Sequence, residues 1–382
     1  MMPEIRAIAA SLLCATLAMC TARGNAAEKP VIAGYIFPRG SVLANGQIDA
    51  YNLTRINYAF AVTKAGRIAL GSAADEQNLA ILVALKRDNP SLTILISVGG
   101  WLGSGDFSDI ALTRQSRKVF VDSVIEFLRR YRLDGLDIDW EYPGLPGAGN
   151  TFRAEDKENF TLLLKDLGRR FEKEHMTGVN RYLLTIAAGA SDEYLAHTEM
   201  REVQRYIDAV NLMAYDYTEA SPDRYTGHHA PLFADPGGRD DGSADASVHA
   251  FEHAGVPAAK IILGVPFYGR SWEHVSNKDH GLFQPGRPSK QDYVPFSVIA
   301  TSMIGHGFTR YWDDTAKAPY LYNAEQGIFV SYEDAESLTV KCNYVMARRL
   351  GGMMFWEYSD DPRGELLQSI AHGLRSSAAN AH

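Results

Sequence analysis

Eight short apolar runs alternate with longer amphipathic ones along the chain, and that rhythm limits the fold more than any other feature. The runs are VIAGYIF (31–37), INYAFAV (56–62), LTILISVGG (92–100), LDGLDIDWEY (133–142), YLLTIAAG (182–189), YIDAVNLMAY (206–215), KIILGVPFYG (260–269) and GGMMFWEY (351–358). They are near-continuous in Val, Ile, Leu, Ala and aromatics, as strands covered on both faces tend to be. Residues 76–87, 114–131, 156–173 and 332–350 repeat apolar positions at three and four, the spacing of a helix face. Eight such strands with intervening helices predict an α/β chain folded as a (β/α)8 TIM barrel. The alternative, an open doubly wound sheet, would place a Gly-rich phosphate turn after the first strand, and none is present there.

The interval from Ser271 to Ser331 breaks the rhythm. It is rich in Gly, Pro, Asp and aromatics and offers no βα unit, so a small α+β insertion domain is expected between strands seven and eight. The expected organisation is a signal peptide over 1–27, a first barrel part over 28–270, the insertion over 271–331, and the last barrel part over 332–382.

At the N-terminus Arg6 precedes the apolar run Ile8 to Cys20, followed by small residues up to Ala27. The run is too short for a comfortable membrane span and reads as an export signal cut near Ala26 or Ala27. The protein is then secreted or periplasmic. A lipoprotein reading at Cys20 is the alternative, but Met19 before the Cys fits it poorly. Cleavage would remove Cys14 and Cys20 and leave Cys342, so no intramolecular disulfide and no cysteine metal site are expected. The whole sequence has 38 basic and 46 acidic residues, net −8, which argues against nucleic acid or an anionic membrane as the main partner. A monomer with no cofactor is expected.

The segment LDGLDIDWEYP (133–143) holds four carboxylates, Asp134, Asp137, Asp139 and Glu141, among core-like residues. Strand side chains alternate faces. Asp137, Asp139 and Glu141 therefore share one face, and Leu136, Ile138 and Trp140 the other. In a barrel the acids then line the inside at the strand's C-terminal end, where barrels build active sites. Neighbours on one face lie about 6.6 Å apart. At an effective dielectric near 20 two charges there repel by roughly 2.5 kcal/mol. Burial adds in the same direction, so the row should hold a proton at neutral pH and titrate as a coupled set. A carboxylic acid kept protonated is what a general acid requires. Glu141 has the longest arm and lies nearest the end, so it is the candidate donor. The competing readings are a solvated strand end, which would not interleave Leu, Ile and Trp, and a divalent-metal site. The pair His228-His229 reads as a polar loop in preference to a ligand pair.

DGLDIDWEYPG (134–144) resembles the DxxDxDxE signature of the family 18 glycoside hydrolases, the chitinases. In the family's order, SVGGW (97–101), MAYD (213–216), GVPFYGR (264–270) and GGMMFWEYSDD (351–361) resemble its motifs on strands three, six, seven and eight. The resemblance covers essentially the whole chain after residue 27.

The resemblance implies a retaining mechanism in which the substrate's own N-acetyl oxygen attacks the anomeric carbon, an exception to the two-carboxylate scheme. It implies Glu141 as acid and later base, and Asp139 as partner of the acetamide N–H. It implies Asp137 as sharer of a proton with Asp139, and Tyr215 as a second hold on the acetamide. Ser97 would support Asp137, and Asp134 would have a structural role. Trp356 would be the floor under the reactive sugar and Trp101 the ring beyond the scissile bond, since pyranose C–H faces lie well on rings. Tyr35, Phe60, Tyr142 and Met213 would line the same mouth, with Asp216 and Arg270 bonding sugar hydroxyls. Trp140 is expected in the core, while Trp272 and Trp312 are open between core and cleft wall. The implied substrate is chitin or N-acetylglucosamine oligosaccharide. A chitinase-like lectin, or the same chemistry on peptidoglycan or N-glycan cores, are the alternatives.

Overall fold

Parallel pairing closes eight strands into a ring. The computed structural model describes residues 29–220, 225–238 and 242–379. The expected export signal over 1–27, with Cys14 and Cys20, lies outside them. In chain order the strands are β1 (Val31–Ile36), β2 (Arg55–Lys64), β3 (Arg67–Ala69), β4 (Thr93–Gly99), β5 (Gly135–Asp139), β6 (Leu183–Gly189) and β7 (Ala209–Met213). They continue as β8 (Ile261–Pro266), β9 (Tyr268–Glu273), β10 (Arg287–Pro295), β11 (Thr309–Asp313), β12 (Ala318–Asn323), β13 (Ile328–Ser331) and β14 (Gly352–Trp356). The order β1-β14-β8-β7-β6-β5-β4-β2, with β2 pairing back to β1, is a closed (β/α)8 barrel; β3 hairpins onto the far end of β2.

The two faces of β5 separate as strand alternation dictates. Leu136, Ile138 and Trp140 face outward and are fully buried against the helices. Trp140 stacks on Phe107 at 5.5 Å and meets Phe160 edge-on at 5.7 Å, so it is core, as expected. The helix Arg114–Tyr131 begins where the periodicity begins. Thr113 caps it by accepting the Ser116 amide, and its inner face buries Phe120, Val121, Val124 and Leu128. Asp137 and Asp139 face inward, in register with Ser97 and Gly99 of β4. Gly99 is forced by this packing. It has φ +114, and a Cβ there would stand 2.0 Å from the Asp139 carbonyl oxygen.

Between β8 and β14 the chain forms a second, antiparallel sheet in the order β10-β9-β13-β12-β11. Its first strand starts at Tyr268, inside the segment assigned to barrel strand seven, so the sheet begins before residue 271. Strand seven ends at Pro266, and Phe267 donates its amide to the Trp356 carbonyl at 2.7 Å as the chain leaves the barrel. Helix in this interval is limited to short turns at Lys278–Gly281, Phe296–Val298 and Ile299–Met303. Trp272 is fully buried in this sheet against Phe329 at 5.7 Å. Trp312 lies under the Arg310 guanidinium at 5.5 Å. Neither tryptophan borders the cleft described below. Cys342 is free and buried. Among the described residues no helix is long and apolar enough to cross a membrane.

Candidate active site

The C-terminal ends of the barrel strands surround a cleft of about 1490 Å³. Of the residues nominated from sequence, Glu141, Asp139, Tyr215, Trp356, Trp101, Tyr35, Phe60, Tyr142, Met213, Asp216 and Arg270 all border it. Asp137 and Ser97 lie beneath, fully buried, and Asp134 lies outside at the start of β5. Asp134 takes Lys86 Nζ at 2.6 Å and accepts the Ile94 amide at 2.7 Å, tying β5 to β4 and the outer layer.

Asp137 accepts four hydrogen bonds. Its Oδ2 takes the Tyr35 hydroxyl at 2.9 Å and the Ser97 hydroxyl at 2.8 Å. Its Oδ1 takes the Thr185 hydroxyl at 2.5 Å and the Asn211 amide at 2.9 Å. The donors come from β1, β4, β6 and β7, so the barrel's closure itself builds this nest. Burial raises the Asp137 pKa above the ordinary range, and the hydrogen bonds with the Arg55 charge oppose it. Thr185 and Asn211 were not nominated from sequence. Each is a polar residue at an inward position of an otherwise apolar strand, and that is the signal that would have found them.

Asp139 is 4% exposed, and its Oδ1 is buried with no hydrogen-bond partner among the described residues. Burial, then Glu141, then Asp137 hold its carboxyl well above the usual range. A buried, unpartnered carboxylate would cost several kcal/mol as an anion, so this one keeps a proton.

Glu141 follows the strand. Its amide donates to the Ser104 hydroxyl at 2.9 Å, and its carbonyl accepts from Asn150. Burial raises its carboxyl to about 7, partly opposed by the Tyr142 hydrogen bond and reinforced by Asp216 and Glu219. Tyr142 packs edge-on against Tyr194 at 6.0 Å. Tyr215 is raised well above its ordinary value by burial and then by the Asp139 charge.

Trp356 is ringed by Phe60 at 5.6 Å, Phe37 at 5.7 Å and Tyr35 at 5.8 Å, forming an apolar floor. Trp101 stands 53% exposed at the rim. Asp216 and Arg270 make a two-pronged ion pair, Nε to Oδ1 and Nη2 to Oδ2, both at 2.8 Å. Tyr268 donates to Asp216 at 2.6 Å, and Arg270 also reaches Glu219 at 3.1 Å. Burial pushes the Asp216 pKa up, but the His229 and Arg270 hydrogen bonds win and hold it below the ordinary range.

His228 and His229 lie in an irregular stretch, as the polar-loop reading expects, but not at the surface. Both side chains are buried: His228 Nε2 is 2.8 Å from Asp313 and His229 Nδ1 is 3.4 Å from Asp216. They join the barrel mouth to the second sheet. Among the described residues no group of three or more His, Cys, Asp or Glu is placed to hold a metal ion.

With this geometry in place, the known proteins it resembles are informative. The family described as Glycosyl hydrolases family 18 matches residues 31–361. Chitinase A1 of Niallia circulans is 43% identical over 307 residues, covering 76% of this chain and 44% of that protein. Chitotriosidase-1 of Mus musculus is 35% identical over 327 residues, covering 83% of this chain and 69% of that protein. This chain therefore spans less than half the length of the first of these and about two thirds of the second. Among solved structures, a family 18 N-acetylglucosaminidase from Paenibacillus barengoltzii superposes with a TM-score of 0.84 at 44% identity, covering 90% of this chain and 99% of that one.

Proposed function

The chain belongs to glycosyl hydrolase family 18, and from that premise we propose that it is a chitinase, cleaving β-1,4 linkages between N-acetylglucosamine units by substrate-assisted retaining catalysis. One observation carries the reading: a protonatable Glu141 at the cleft edge stands on the same strand face as Asp139, whose Oδ1 is buried without a partner.

In the proposed cycle Glu141 protonates the glycosidic oxygen. The acetamide oxygen of the bound sugar attacks its own anomeric carbon and the leaving sugar departs with the proton. Asp139 hydrogen-bonds the acetamide N–H and steadies the cyclic cation, with Asp137 sharing the proton balance behind it. Tyr215 holds the acetamide from the other side. Glu141, now a carboxylate, then takes a proton from water as that water opens the ring with retention. An ordinary retaining enzyme needs a second free carboxylate across the bond. Asp216, the cleft acid beyond this strand face with the strongest ties, is already committed to Arg270, Tyr268 and His229. Its low pKa suits a fixed anchor for sugar hydroxyls.

Trp356 is assigned as the floor under the reactive sugar and Trp101 as the ring beyond the scissile bond, with Tyr35, Phe60, Tyr142 and Met213 completing the mouth. The sheet from Tyr268 to Ser331 is assigned as an insertion domain walling one side of the cleft, to which it contributes Tyr268, Arg270 and Tyr293. Residues 1–27 are assigned as a cleaved export signal, which N-terminal sequencing of exported protein tests.

Hydrolysis of chitohexaose followed by proton NMR tests the reaction. The reading requires new reducing ends that appear first as the β-anomer. First-formed α-anomer, or no cleavage with tight binding, would replace it with an inverting enzyme or a lectin. The product sizes separate internal cleavage from release of single sugars.

A further inference from the structure

Beneath the acids the barrel interior holds a cation without a close partner. Arg55 opens β2, in register with Ala33 of β1 and Thr93 of β4. Tyr58 of the same strand points outward, giving its hydroxyl to Asp75 at 2.9 Å, so alternation turns Arg55, Asn57 and Ala59 inward. Arg55 is 7% exposed, and its Nε and Nη1 are buried with no hydrogen-bond partner among the described residues. Asp208, the acid at the foot of β7, already accepts Arg181 at 2.6 Å and the Leu184 amide at 2.8 Å. Both side-chain polar atoms of Asn57, and Oδ1 of Asn211, are likewise buried and unpartnered. Five polar atoms thus lie in the same interior as Asp137. Such groups in native barrels are bridged by internal water, since leaving them dry costs free energy for each.

Asp137 above them accepts four hydrogen bonds through two oxygens. A protonated Asp137 would have to turn one of those donors around. We propose that Arg55 is a positioning residue, whose buried guanidinium, linked by internal water among Asn57 and Asn211, biases the proton that Asp137 shares with Asp139 toward Asp139 and Glu141. The inference rests on the reading of these acids as the working groups. The groups that face the pair are Tyr35 from β1, Arg55 from β2, Glu141 and Tyr142 beyond β5, Tyr194 after β6 and Tyr215 after β7, and Asp208 faces Arg55 from below. Arg55 alone among them is a cation, and its charge adds to the hydrogen bonds from Thr185, Ser97 and Tyr35 in favouring an anionic Asp137.

The test compares pH profiles of kcat/KM for wild type, Arg55→Met and Arg55→Lys on chitohexaose. In Arg55→Met, Asp137 takes up a proton more readily. The acidic limb should then move up by about one pH unit, with kcat reduced and KM little changed. Arg55→Lys should restore the limb. A Met variant whose profile superimposes on wild type after scaling overturns the proposal, because a merely structural loss lowers activity evenly at every pH. Neutron diffraction of wild-type crystals covers a Met variant that does not fold. It should place a deuteron on Asp139 and none on Asp137, with ordered water on Arg55 Nε and Nη1. A deuteron on Asp137, or Arg55 turned out through the barrel floor, overturns it. This arm reads Asp137 whether or not the protein cleaves chitohexaose, so the two readings fail separately.

Discussion

Asp139 leaves its buried Oδ1 unpartnered, while Asp137, two residues earlier on the same face of β5, accepts four hydrogen bonds. One strand thus carries two carboxyl groups in opposite states of readiness. The first is saturated and fixed. The second has an open valence at the cleft floor, where an incoming N–H can meet it.

Asp139→Asn keeps the shape and removes the ionisable carboxyl that would steady a developing cation. The expected result is a kcat lower by about a hundredfold or more, with affinity for chito-oligosaccharide within a few-fold of wild type. Steady-state kinetics beside calorimetric titration checks both; a variant that loses affinity and leaves kcat intact contradicts the role.

The pH dependence follows from Glu141, raised to about 7 chiefly by burial. It must be protonated to donate, so kcat/KM falls as pH rises through about 7. Glu219 adds a like charge that favours the protonated form. Glu219→Gln should lower the Glu141 pKa and move the alkaline limb down by a few tenths of a unit. A limb that stays put or moves up counts against the electrostatic account.

The two cleft tryptophans should differ. Trp101 is exposed at the rim, so Trp101→Ala should weaken binding of long oligosaccharides by about tenfold without changing the melting temperature. Trp356 is packed by Phe60, Phe37 and Tyr35. Trp356→Ala should therefore cost stability as well as affinity, on the order of 3 kcal/mol. Thermal unfolding and binding isotherms of the pair separate these effects.

Asp360 is buried where β10 meets the barrel, accepting from Tyr293. Burial raises its carboxyl to about 7, with Glu357 adding to the rise. Between its unfolded value near 4 and about 7, the folded protein holds a proton that the unfolded chain has lost. Wild-type stability therefore falls with rising pH across that window. Asp360→Asn should match wild type near pH 4 and exceed it by a few kcal/mol at pH 8, as read from urea unfolding at each pH. Equal differences at both pH values would show that the group does not titrate there.

The barrel was legible because each strand buried on both faces is an unbroken apolar run, and because β5 carries its acids at a spacing of two. Other parts were not. The hairpin strand β3 is three residues long, too short to show a period. In the second sheet β10 and β11 are largely polar and β12 and β13 are short, with Gly and Pro around them, so their alternation dissolves into what reads as loop. The split of KIILGVPFYG into β8 and β9 depends on Phe267 bonding Trp356, a contact 89 residues away in sequence. The Asp137 nest needs four strands, and no local window contains more than one of its donors. The burial of His228 and His229 was hidden for the same reason, since their partners Asp313 and Asp216 come from elsewhere in the chain.

Glu141→Gln tests the central claim most directly, by turnover of chitohexaose alongside binding of the same sugar. The account predicts activity below about a hundredth of wild type with affinity preserved, because the amide keeps the shape and has no proton to give. A variant retaining a tenth of wild-type turnover would place the acid on another residue.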